Sequence, residues 1–139
     1  MGQSNHIENL RIYQLSRKLE DTLYESIKTL PNNEFYYLGN DLRRSSAAVS
    51  HHITEAHRRY SYAVKSELLH LARTEISALQ DLLSLYESRG YGDTSELSSS
   101  YRSLYQQIWG LITYFKRKQQ DRQRGTRIKA ADALVAARV

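Results

Sequence analysis

The sequence predicts an all-α fold: an up-down-up-down four-helix bundle with a basic C-terminal tail. Apolar residues recur at three- and four-residue steps over four separate stretches of similar length. No stretch shows sustained two-residue alternation, and the single proline, Pro31, falls between the first two stretches. Four amphipathic helices with short connections pack most simply as a bundle. The 139 residues suit one domain, with residues 1–120 forming the bundle and 121–139 a basic, flexible tail.

The polar start Met1–Asn9 frays, and the first helix covers about residues 9–29. Its apolar row is Ile12, Leu15, Leu19, Leu23, Ile27 and Leu30. Pro31 ends it, because proline disfavours helical geometry in the residue before it. Asn32 or Asn33 caps the second helix, which runs to Arg59 or Tyr60 with Glu34 in its first turn, where negative charge suits the helix dipole. Its core row is Leu38, Leu42, Ser45, Val49, Ile53 and Ala56. Ser61 caps a third helix over about 62–88, with Leu68, Ala72, Leu79, Leu82/Leu83 and Tyr86 inward. Gly90 supplies a left-handed C-cap. Asp93 with Glu96 resembles a capping box for the fourth helix, about 94–120, whose row is Leu97, Tyr101, Leu104, Ile108, Leu111, Ile112 and Phe115. Beyond Gln120 the segment DRQRGTRIK has no apolar face, and Ala130–Val139 forms a short helix only against a partner.

Composition narrows the function. There is no cysteine, so disulfides and thiolate metal sites are excluded, which fits a cytoplasmic protein. No apolar run approaches membrane-spanning length. The opening MGQSNHIENLRIY has no signal-peptide core, and His6 stands where a myristoylation pattern wants Ser or Thr. The net charge of +5 is local: Lys116, Arg117, Lys118, Arg122, Arg124, Arg127 and Lys129 face only Asp121, while the rest of the chain carries 13 basic and 14 acidic residues. Such a patch points to a polyanion partner, most often nucleic acid, or else to a solubilising tail.

The second helix has a further face, Arg44, Ala48, His51, Glu55 and Arg58, at steps of four, three, four and three. With Ala47 and Ala48 set among the charges, it reads as an oligomer interface first. Arg44 and Arg58 are also placed to contact phosphates together. Tyr36, Tyr37, Tyr60 and Tyr62 flank the ends of this helix; they suit subunit interfaces, and base stacking is the second reading. His52 and Glu55 stand three apart, but a di-metal bundle uses Glu-x-x-His on two helices, and here the order is reversed with no second copy. Glu75 falls between Leu68 and Leu79 on the inward side of the third helix, where a carboxylate needs a partner or a raised pKa. A Tyr or Arg contact at the bundle edge is favoured over a catalytic role. With no phosphate-binding glycine loop and no nucleophile elbow, we expect no enzyme activity, no metal and no cofactor.

The residues also carry a family resemblance. Glu34-x-x-x-Leu38-x-x-x-Leu42-Arg43-Arg44-Ser45, then Ser50-x-x-Ile53-x-Glu55-Ala56 and Arg59-x-Ser61, resemble the bacterial four-helix-bundle proteins encoded in 23S ribosomal RNA intervening sequences. Leu10-x-Ile12-Tyr13-Gln14, Leu30-Pro31-x-x-Glu34, Glu67, Leu71-Ala72 and Leu79 also fit, over about residues 10–115. The family usually has Asn-Ile-Ala-Glu-Gly where this chain has His52-Ile53-Thr54-Glu55-Ala56. Its Gly-Ser corresponds to Thr74-Glu75, and its following Glu to Ala78, as in a divergent branch. The Avd accessory proteins of diversity-generating retroelements look like relatives. That resemblance implies a ring-shaped homopentamer that binds nucleic acid (RNA or DNA) and a reverse transcriptase. The expectation is a non-enzymatic, homo-oligomeric nucleic-acid-binding bundle; the alternative is a protein-interaction scaffold without nucleic acid.

Overall fold

The computed structural model of the chain describes Ile7 and residues 10–137. The stretch around Gly2 and His6 that bears on myristoylation lies outside the described residues. Among the described residues five α-helices follow in order: α1 Arg11–Ile27, α2 Asn32–Tyr36, α3 Leu38–Arg58, α4 Tyr62–Ser88 and α5 Ser95–Ala137. The described chain is all-α. Each of the four long helices packs on two others: α1 on α3 and α5, α4 on α3 and α5. The four stripes therefore face one shared interior.

The periodic rows explain that interior. In α1, Ile12, Leu19, Leu23 and Ile27 are buried, as is Leu30 just beyond it; Leu15 is half-buried. All six residues of the α3 row are buried, Ser45 included. Leu97, Tyr101, Leu104, Ile108 and Ile112 bury the inward face of α5. Burying one such Leu or Ile side chain contributes roughly 1.5–3 kcal/mol, so these rows hold the helices together. The α4 row is displaced from expectation by one position at its start. Leu69, Ala72, Ile76, Leu79, Leu83 and Tyr86 point inward, and Leu68 is only half-buried. Glu75 consequently sits beside the row rather than in it. It is half-buried, and its charge acts on His52 of α3 in place of the expected Tyr or Arg contact.

Four boundaries differ from the sequence expectation. The second helix is broken at Tyr37 (φ −101°, ψ −78°), giving the short α2 and the long α3. The break lets Gly39 settle against the end of α1, where an added Cβ would lie 3.1 Å from Ile27 and 3.3 Å from Leu30. Pro31, not an asparagine, occupies the N-cap of α2, and Glu34 lies in its first turn as expected. At the start of α5, Asp93 accepts from the backbone N–H of Ser95 at 2.9 Å and from its hydroxyl at 2.6 Å, so the cap runs to Ser95 and not through Glu96. The other signals hold: Ser61 accepts from Val64 N–H at 3.3 Å, and Gly90 adopts φ +80°. The fourth helix does not end near residue 120. It continues unbroken to Ala137, and apart from Gly125 every residue of 121–137 is exposed.

Small polar residues line the contact of α1 with α3. Ser16 and Ser50 are buried, and Ser50 Oγ donates to the Glu20 carboxylate and lies 3.0 Å from Ser16 Oγ. Glu20 is in turn paired with Arg17 at 3.0 Å. Tyr101 of α5 is fully buried, and its hydroxyl has no hydrogen-bond partner among the described residues. Burial, followed by the Glu20 charge, pushes its pKa up.

Candidate nucleic-acid interface

The second face of α3 lies open. Arg44, His51 and Arg58 are exposed, and Ala48 and Glu55 are half-buried. Its charges are already matched locally. Arg44 pairs with Asp41 at 3.0 Å, and Glu55 holds both Arg58 at 3.1 Å and Arg59 at 3.0 Å. Exposed pairs of this kind add little stability, but a phosphate approaching either arginine competes with a carboxylate already in place.

The cations of α5 are different. Lys116, Arg117, Lys118, Arg122, Arg124, Arg127 and Lys129 form no ion pair among the described residues, and all seven side chains are exposed. At about 100° per residue, they divide into two stripes. Lys116, Arg117, Arg124 and Arg127 share one side, and Lys118, Arg122 and Lys129 the other. Several rest on aromatic rings where the extension leaves the bundle. Lys118 Nζ lies 5.6 Å from the Tyr114 ring centre, Lys116 Nζ 5.8 Å from that of Trp109, and the Arg122 guanidinium 4.5 Å from that of Tyr62. Tyr62 itself stacks on Phe115 at 5.7 Å. Such contacts hold a cation by the ring quadrupole without neutralising it.

The structure thus separates the residues singled out by sequence into two groups. Arg44, Ala48, His51, Glu55 and Arg58 form one coherent face of α3, while the basic residues from Lys116 onward belong to α5. Tyr36, Tyr37 and Tyr60 are strongly exposed. His51 and His52 have ring centres 5.8 Å apart. Burial, then the neighbouring His51, lowers the His52 pKa, against an opposing pull from Glu75. Among the described residues no group of three or more His, Asp or Glu is placed to hold a metal ion, and no helix is long and apolar enough to cross a membrane.

Sequence reasoning missed a third cluster. On the outer side of α4 and α5, Arg73 covers the rings of Tyr105 (3.7 Å) and Trp109 (4.9 Å), and His70 meets Trp109 at 6.2 Å. These partners are more than 30 residues apart in the chain, so only the pairing of two helices brings them together. The one available signal was Trp109 itself, a tryptophan outside the inward row of its helix.

A helical bundle with a separate charged face and a projecting basic helix defines a small all-α protein whose distinctive chemistry is on its outer surface. The chain matches the 23S rRNA-intervening sequence protein family over residues 8–120 and belongs to it. No curated protein matches the chain. The match ends at Gln120, so residues 121–137 of α5, with Arg122, Arg124, Arg127 and Lys129, lie beyond it.

Proposed function

We propose that the protein is a non-enzymatic, homo-oligomeric bundle that binds RNA or DNA through its basic C-terminal helix. The observation that carries this is the run of seven exposed cations on residues 116–129, none of them in an ion pair among the described residues. A single acid, Asp121, lies among them. Free cations on a helix release counterions from a phosphate backbone, giving affinity that is strongly salt-dependent and carries little sequence information. Arg44 and Arg58 are secondary contacts, because Asp41 and Glu55 hold them. The face Arg44-Ala48-His51-Glu55-Arg58 is the subunit seam, since it combines small residues with charges of both signs and keeps Arg44, His51 and Arg58 exposed.

The up-down-up-down order is supported by hydrogen bonds whose partner numbers run oppositely: Gln80 to Ser98 and Arg73 to Tyr105 between α4 and α5. The resemblance to Avd proteins supports a pentameric ring and an accessory role beside a reverse transcriptase; family membership supports a role tied to 23S rRNA intervening sequences. A cytoplasmic location goes with either. The scaffold reading draws on Ile128, Leu134 and Val135, which are exposed near the end of α5 and suit a protein partner.

The test combines solution mass with binding of a labelled single-stranded oligonucleotide at low salt, by the intact chain and by a chain ending at Gln120. Binding by the intact chain that weakens on truncation is expected. Equal binding by both removes the extension from the account, and absence of binding by both leaves the scaffold.

A further inference from the structure

The geometry points to a second nucleic-acid contact on the bundle itself, resting on the binding reading above: a stacking site for unpaired bases on the outer α4–α5 surface, centred on Trp109 and Arg73. Trp109 is 46% exposed, although its indole is the largest apolar side chain in the protein. Arg73 spans the Tyr105 and Trp109 rings and is fixed by a bond from Nε to the Tyr105 carbonyl at 3.3 Å. Among the described residues no carboxylate pairs with it. A guanidinium anchored through Nε and backed by two rings keeps its terminal nitrogens free for a phosphate. His70 and Lys116 border the same indole. The His70 pKa is lowered first by burial and then by Lys116 and Arg73, so the local field around the ring is positive.

Two further observations fix the occupant. A groove of about 480 Å³ opens beside Tyr105, with mostly polar side chains along its walls and one charge of each sign, Arg102 and Asp81. A polar groove is a poor seat for an apolar helix, and Arg102 on its wall can meet a phosphate of a sugar-phosphate chain. In addition, Arg102, Tyr105, Trp109, Lys116 and Arg127 fall on one side of α5, at steps of three, four, seven and eleven residues. A strand lying on the Lys116–Arg127 stripe therefore continues over the indole and into the groove. Bases paired inside a duplex have their faces covered, so the rings select single strands; stacking of this kind tolerates any base.

Trp109 is the single tryptophan, so its emission reports this site alone. The intact protein is titrated at low salt with a short labelled oligouridylate and with an abasic strand of equal length, following label anisotropy and tryptophan emission together. Oligouridylate is expected to bind and quench Trp109, and the abasic strand to bind by charge with little quenching. Trp109→Ala, with its helicity checked by circular dichroism, should weaken oligouridylate about tenfold and leave the abasic strand unchanged. Oligouridylate that binds with unaltered emission, or quenching by the abasic strand to the same extent, overturns the stacking site and leaves the basic helix intact as a binder. Absence of binding by either strand overturns both.

Discussion

Removing residues 121–139 should change the salt dependence of nucleic-acid binding by an amount that the structure sets. Each phosphate neutralised on a single strand adds about 0.7 to the slope of log affinity against log salt. Engagement of all seven α5 cations corresponds to a slope of about −5, and affinity falls about a thousandfold between 50 and 200 mM salt. A strand confined to the four-cation stripe gives about −3. The shortened chain keeps Lys116, Arg117 and Lys118, which corresponds to about −2 and a loss of roughly twentyfold over the same range. The bundle should survive truncation, because the side chains of 121–137 are exposed and the contact found between them and the bundle is Arg122 on Tyr62. Anisotropy of a labelled single strand, measured at several salt concentrations, supplies both slopes. Arg44→Gln is the internal control: Asp41 already pairs with Arg44, so the slope should move by less than one full phosphate contact. Equal slopes for the intact and shortened chains would refute the assignment of the affinity to α5.

Other consequences can be checked directly. Ala48→Glu places a third carboxylate beside Asp41 and Glu55 on this face of α3 and should convert the proposed oligomer to smaller species in solution-mass measurements; an unchanged mass would place the seam elsewhere. Burial lowers the pKa of His52 and of His70. Below about 6.5 the unfolded chain then binds more protons than the folded one. Stability is therefore full above that pH and falls as pH drops through it, and His52→Asn should flatten the fall in melting temperature between about pH 7.5 and 5. Tyr101→Phe deletes a buried hydroxyl that has no partner among the described residues, and denaturant unfolding should show a gain of about 1 kcal/mol; a loss instead would mean that the hydroxyl is engaged.

The legible part of this chain is the part governed by period. In α1, α3 and the bundle half of α5 the apolar rows fall on the buried face, because every third or fourth residue must meet the core if the stripe is to leave water. The α4 row is less determinate. Leu68 and Leu69 are adjacent, as are Leu82 and Leu83, and adjacent leucines leave the phase of the stripe open. Packing selects Leu69 and Ile76, which moves Glu75 to the rim beside His52. The break at Tyr37 depends on how closely Gly39 approaches α1, a tertiary distance with no local signature. The end of the last helix escapes the pattern for another reason. Residues 121–129 have no apolar face, and a missing apolar face argues against packing, not against helix. The α3 face is visible as a pattern, whereas the Arg73–Trp109 contact depends on two helices lying side by side.

The continuity of α5 alters what its cations can do. At 1.5 Å per residue its 43 residues make a rod about 65 Å long, with roughly 25 Å beyond Gln120. A loose tail would act as a tether, keeping its cargo nearby at any angle. A rod whose first half is clamped in the bundle core acts as a handle: whatever grips its far end also fixes the bearing of the bundle. In a closed ring of copies the rods would keep a constant mutual angle, so spacing and direction along the bound strand would be set by the symmetry of the assembly. The weak point of the handle is Gly125, whose backbone freedom sets helix propensity about 1 kcal/mol below alanine and whose absent Cβ would meet open space. Flexure there would leave the cations from Lys116 to Arg124 aligned with the bundle and release Arg127 and Lys129.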